Sequence, residues 1–162
     1  MIIHTEKIRD FDFRDYGIYF NMFRDRERVM HSSGVSFEDH MTCRPLIDTP
    51  AHLGCTIGQS APYVLHSMEK HAHTLEAVFC AADPIILCVA KSCGDRPPRA
   101  ADVHALLLGR GDVAVLKRDI WHDACHGVGR PVAYYYIASR GENPAEWVKV
   151  EGEAVVEPDD FF

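Results

Sequence analysis

The sequence predicts an all-β domain, a sandwich or barrel of many short strands. Three observations carry that expectation. The apolar segments are short and rich in β-branched and aromatic residues. Clusters of Gly, Pro, Asp and Asn separate them: AADP, CGDRPP, GRGD, GVGRP and RGENP. Nowhere does a strand-like segment alternate regularly with a helical one, so no parallel α/β sheet is indicated.

From the N-terminus, KIRDFDFRDYG (7–17) is expected to form a short helix ending at Gly17, with Ile8, Phe11 and Asp15 as a partial stripe. Strands are then expected over 18–23, 55–58, 63–68, 76–80, 85–90, 103–108, 112–116, 132–138 and 147–150. RPPRAAD (96–102) has room for one helical turn before the next strand. No repeat, linker or low-complexity tract divides the 162 residues, so a single domain over 1–162 is expected, long enough for a substantial core.

Composition narrows the function classes. Apolar residues make up 47% of the chain, and no apolar run approaches the ~18 residues of a membrane span. The opening MIIHTEKIRD puts charges where a secretory signal needs an apolar stretch, so a cytoplasmic location is expected and no membrane partner. A formal charge of −7 argues against nucleic acid as a partner. It also means that an anionic substrate would need local positive charge, from a metal or from particular Lys and Arg side chains. The six cysteines form no CxxC pair and no dense framework, and are expected to be reduced thiols.

Two stretches carry candidate chemistry. In KHAHTLEAVF, His71 and His73 would share a face of an extended segment, because side chains two apart on a strand point the same way. Glu76 is an odd step away and would join them only through a turn or bulge at Thr74–Leu75. The competing reading is a solvated polar strand end. In GDVAVLKRDIWHDACH, DVAVL alternates as a strand, KRD is a turn, and His122 follows. Three imidazoles and one carboxylate suit Zn, Mn, Fe or Ni and leave coordination positions open for a hydroxy acid or water. Trp121 is a bulky apolar group suited to a pocket wall or a core. His126 and Cys125 follow closely, without the helical spacing of a ligand pair.

HAHTLEAVF resembles the first cupin motif, and GDVAVLKRDIWH the second, with Lys117 and Asp119 in place of its usual proline and glycine. Within the cupins, HSMEKHAHTLEAVF, the long run IILCVAKSCGDRPPRAADVHALLLGRGDVAVLKRDIWH and the N-terminal FRDYG are similar to the ureidoglycolate lyase family. The similarity spans 13–147 and is strongest over 66–140; residues 22–50 match poorly. That family often has non-ligand residues at the places of His73 and Glu76, where this chain has a full ligand set.

The resemblance implies a cupin double-stranded β-helix, a jelly-roll barrel with a short N-terminal helix, assembled as a homodimer. It implies cleavage of the carbinolamine C–N bond of a small anionic substrate, ureidoglycolate, to glyoxylate and urea. A base would take the hydroxyl proton and an acid would protonate the leaving nitrogen. His71, His73, Glu76 and His122 would hold a divalent metal ion. His66, Lys117 and Tyr136 would be the acid–base candidates, and Lys117 and Trp121 would line the substrate site. The alternatives are a metal-dependent cupin isomerase or dioxygenase acting on a sugar or small keto or hydroxy acid, and a cupin that binds a small molecule without turnover.

Overall fold

The computed structural model describes residues 1–80, 82–143 and 145–159. Two of the expected turns, AADP and RGENP, include Ala81 and Pro144, which lie outside the described residues. The chain is nearly all β. In order come β1 (Ile2–Lys7), β2 (Gly17–Asn21), β3 (Val29–Ser33), β4 (Glu38–Thr42), β5 (His52–Gly58), β6 (Ser60–Ala61), β7 (Tyr63–Val64), β8 (Ser67–Met68) and β9 (Glu76–Phe79). Then follow β10 (Ile85–Ala90), β11 (His104–Leu108), β12 (Asp112–Leu116), β13 (Trp121–His122), β14 (His126–Val128), β15 (Val132–Ala138), β16 (Val148–Lys149) and β17 (Val155–Glu157).

Among the described residues two sheets form a nearly closed jelly-roll barrel. The larger runs β6-β14-β10-β11-β1-β17-β7, with β13 also paired to β10. The smaller runs β2-β12-β9-β15-β5. Alternation along the strands sorts the side chains into layers. From β10, Ile85, Leu87 and Val89 turn inward and meet Val78, Ala114, Leu116, Val132 and Tyr134 of the smaller sheet. Their neighbours Ile86, Cys88 and Ala90 turn outward, against Leu65, Met68, Trp121, Val150 and Val156. Because β10 is covered on both faces, its six residues are all buried. The outer face of the smaller sheet is partly covered by the segment 22–50, where Val29 of the β3–β4 hairpin packs on Phe20, Ala77, Val113 and Val115.

The N-terminal segment differs from the expected helix. Residues 2–7 form β1, which pairs in parallel with both β11 and β17. Only two single 3-10 turns follow, Ile8–Asp10 and Phe13–Asp15. Ile8, Phe13 and Tyr16 each anchor in the central core, so packing rather than helical periodicity dictates the path. The expected turn at 96–102 is a third 3-10 segment, Ala100–Asp102. The hairpin β3–β4 carries mostly polar and exposed residues, so it gave no alternating apolar signal.

Candidate metal centre

The centre lies at the floor of a cavity of about 960 Å³ within the barrel. His122 arrives on β13, where it pairs with Val89 while Trp121 pairs with Ala90. Successive strand residues face opposite ways, so His122 enters the barrel and Trp121 enters the outer core layer. The His122 ring is 4% exposed. Its Nδ1 lies 3.0 Å from the Ile120 carbonyl, which can only accept, so Nδ1 carries the proton and Nε2 presents its lone pair. That Nε2 is buried and has no hydrogen-bond partner.

Glu69 meets it from the segment after β8. Glu69 and His122 form an isolated antiparallel bridge, so their side chains share one face. Donor atoms of Glu69, His71 and His122 all lie within 4.8 Å of one another, close enough to hold a metal ion. Glu69 Oε1 is 3.9 Å from His71 Nε2 and 3.8 Å from His122 Nε2. Glu76, the first residue of β9, adds a second carboxylate: its Oε2 is 3.2 Å from His71 Nε2 and 3.6 Å from His122 Nε2. A buried imidazole lone pair aimed at two carboxylates and a second imidazole is a donor set that fits a divalent ion.

The electrostatics agree with that chemistry. Burial pushes the Glu76 carboxyl up, but the His122 and His71 imidazoles beside it win and hold it at about 2. Burial works against the charged form of His122, and the Glu76 carboxylate overrides it, so its pKa is raised. Glu69 is raised by burial, with His122 and His71 opposing. Cationic charge is therefore favoured at the centre.

His73 stands apart from the expected ligand set. Residues 71–75 are not a strand; the chain bends at Ala72 and His73, not at Thr74–Leu75. The period-2 argument therefore fails, and His73 lies at the exposed side of the cavity, its Nε2 donating to the Ser139 carbonyl at 3.0 Å. Thr74 fixes this segment: its buried hydroxyl donates to the Leu75 carbonyl and accepts from Ser139 N. Glu69 lies outside the ligand set expected from the sequence, although it sits two residues before His71, the same step that separates His71 from His73.

The other candidates divide by position. Tyr136 lines the cavity, packed across Gly54, where an added Cβ would stand 2.0 Å from its ring. Tyr134 also lines it, and its hydroxyl accepts from Cys125 N at 3.0 Å. His66 is exposed and is not among the lining residues. Lys117 points the other way, its Nζ donating to the Arg14 carbonyl at 2.6 Å, so it is not placed to grip a substrate in this cavity. Trp121 is core, with Lys70 Nζ 4.7 Å over its ring. The cations that do line the cavity are Lys70 and Arg140. Lys70 donates to Ser92 Oγ and the Gly94 carbonyl. Among the described residues the Arg140 guanidinium has no ion-pair partner, while its backbone N–H donates to His52 Nδ1 at 3.2 Å.

Compared with known protein families and with curated protein sequences, the chain matches none. No helix among the described residues is long and apolar enough to cross a membrane. All six cysteines are free thiols.

Proposed function

We propose that the chain is a metal-dependent cupin lyase acting on a small 2-hydroxy acid of the carbinolamine type, with ureidoglycolate as its substrate and glyoxylate and urea as products. The observation that carries this reading is the convergence of Glu69, His71 and His122 in a cavity also lined by Arg140, whose guanidinium has no ion-pair partner among the described residues. A second observation supports the cupin assignment. Asp119 stands where the second cupin motif has glycine, and it adopts φ 62°, the left-handed conformation that glycine favours.

Glu69, His71 and His122 would hold a Zn, Mn, Fe or Ni ion, with Glu76 hydrogen-bonding to the ligands or joining them. When bound, such an ion supplies Lewis-acid stabilisation of negative charge on substrate oxygens. The chain's own side chains do the rest. Arg140 pairs with the substrate carboxylate, in place of Lys117, which the family resemblance put in the substrate site. His73 gives its Nε2 proton to the Ser139 carbonyl, so its Nδ1 is free to accept the hydroxyl proton as the C–N bond breaks. The Tyr136 hydroxyl is the donor toward the leaving urea nitrogen. The products balance: the hydroxyl becomes the aldehyde carbonyl, the C–N electrons leave with nitrogen, and nitrogen takes a proton.

The test is elemental analysis of protein purified without an affinity tag, paired with a ureidoglycolate turnover assay. Near-stoichiometric divalent metal with glyoxylate release is the expected result; full metal content without turnover rejects the lyase assignment. One observation favours a second reading. Two histidines and one carboxylate with open positions is also the ligand set of non-haem iron oxygenases. Oxygen uptake by the ferrous protein with a keto or hydroxy acid would select that reading.

A further inference from the structure

The β3–β4 hairpin lies on the outer face of the smaller sheet, away from the barrel cavity, and holds a second pair of imidazoles. Gly34 N–H donates to the Phe37 carbonyl and Cys43 N–H to the Arg28 carbonyl, so hydrogen-bonded pairs alternate with unbonded ones between them. By register His31 stands opposite His40 in one of the unbonded pairs, the kind that brings side chains closest. His31 shares its face with Val29, two residues earlier, which packs on the sheet. Both histidines are half-buried.

Their nitrogens meet head to head. His31 Nδ1 lies 2.7 Å from His40 Nδ1, with the two rings at 80°. His31 Nε2 lies 2.9 Å from the Asp25 carbonyl, which can only accept, so Nε2 carries the proton and Nδ1 of the neutral ring offers a lone pair. His40 Nε2 faces the Glu38 carboxylate at 3.8 Å. Phe23 stands at 87° to the His40 ring, 5.1 Å between centroids, and restricts its rotation. Both outer nitrogens therefore face acceptors and both inner nitrogens face each other, the way metal-ligating histidines are oriented from behind. Two lone pairs this close repel unless a cation lies between them. In the free protein a proton on His40 Nδ1 fills that place.

The geometry points to a second metal site, in which His31 and His40 clip a divalent ion that prefers imidazole, of the Ni, Cu and Zn group, across the hairpin. On binding, the neutral His40 changes tautomer: its proton leaves Nδ1 and Nε2 takes one up, facing Glu38. Both Nδ1 lone pairs then reach the ion, and no net proton is released. Nitrogens bound at about 2.0–2.1 Å stand roughly 2.9–3.4 Å apart, so the rings need part by less than about 1 Å. Among the described residues no third His, Cys, Asp or Glu donor joins the pair, so water completes the coordination. Mg and Ca, which take oxygen ligands, do not suit it. The ion would tie β3 to β4 in the hairpin whose Val29 covers part of the smaller sheet, and so hold that cover closed. Neither ring lines the barrel cavity, and the inference does not depend on the proposed chemistry there.

The experiment uses the full chain, stripped of metal with a chelator, with His122→Ala silencing the barrel centre. Zinc is titrated by calorimetry, and modification of each histidine by diethyl pyrocarbonate is read by peptide mass spectrometry. Zinc binding is expected in this background, with His31 and His40 modified about tenfold more slowly, or slower still, when zinc is present. His104, a half-buried histidine beside Glu6, serves as the control and should keep its rate. Adding His31→Gln or His40→Gln should each weaken zinc about tenfold or more, whereas adding His104→Gln should not. A chain with His122→Ala that takes no zinc overturns the inference. So does zinc binding that survives both glutamine substitutions, or protection that His104 shares equally. Should a glutamine variant fail to fold, the protection pattern in the His122→Ala chain decides the matter by itself.

Discussion

Glu69 and His122 exchange two backbone hydrogen bonds, each N–H donating to the other's carbonyl at 2.8 Å. This isolated bridge fixes two side chains 53 residues apart onto one face and ties the carboxylate to the buried imidazole. Removing either side chain leaves the bridge intact, so a candidate ligand is lost without the fold. His122→Ala and Glu69→Ala are each expected to lower affinity for a divalent ion on the order of 100-fold or more. His73→Ala is expected to keep its metal affinity, because that exposed ring stands outside the cluster of Glu69, His71 and His122. Metal content by elemental analysis after dialysis decides it; His73→Ala losing its metal while Glu69→Ala keeps it would return the ligand set to the one read from sequence.

Arg140→Gln is expected to raise KM for a carboxylate substrate by at least tenfold while metal content stays unchanged. Lys117→Gln is expected to leave KM alone, since Lys117 Nζ is held on the Arg14 carbonyl. Steady-state kinetics of the two variants side by side make the comparison, and the reverse ranking sinks the assignment.

Tyr136 lies flat across Gly54, its partner in the β15–β5 register. A methyl at Gly54 would meet the aromatic ring at 2.0 Å, so the ring must leave its place over β5. Gly54→Ala is expected to cost about 1–3 kcal/mol, as overpacking does, and to reduce activity together with stability. Thermal melts would show it; an unchanged melting temperature would mean the ring had somewhere else to go.

Asp119 holds φ 62° in the turn that delivers β13, and its N–H donates to the His71 carbonyl. Glycine adopts that conformation freely, and a β-branched residue does so at a cost of about 1–2 kcal/mol. Asp119→Gly should therefore melt at or slightly above the wild type, and Asp119→Val clearly below it. Equal melting temperatures for the two would remove the backbone argument.

Burial raises the Cys80 thiol to about 11 and the Cys88 thiol to about 12, and holds the Cys125 thiol well above its ordinary value. A raised thiol pKa withholds the reactive thiolate at ordinary pH. At pH 8 a thiol reagent is expected to modify exposed Cys43 and Cys93 promptly and to spare Cys80, Cys88 and Cys125. Six thiols should titrate once the protein is denatured. Fast native modification of Cys88 would contradict the burial.

The sequence determined most of the barrel, because strand signals are local. DVAVL and IILCVA became β12 and β10, and VAYYYIA became β15. Each has enough β-branched or aromatic residues, and sharp enough turns beside it, to declare itself without a partner. It also determined that His71, Glu76 and His122 belong together, through an order of motifs rather than through any contact.

Tertiary structure decided everything that depends on which strand lies beside which. β1 is interrupted by charges and carries no local strand signal, and its two parallel neighbours make it a strand. His73 is two residues from His71, but the chain bends there, so the His71 ring joins the cluster that could hold a metal ion and the His73 ring stays exposed. Glu69 carries no motif, and enters the centre because the backbone there pairs with His122. Lys117 and Arg140 have the same formal charge, and only the packing turns one outward to Arg14 and leaves the other beside the cavity. Residue type fixes what a side chain can do, whereas the direction in which it points is set by long-range pairing that no short stretch contains.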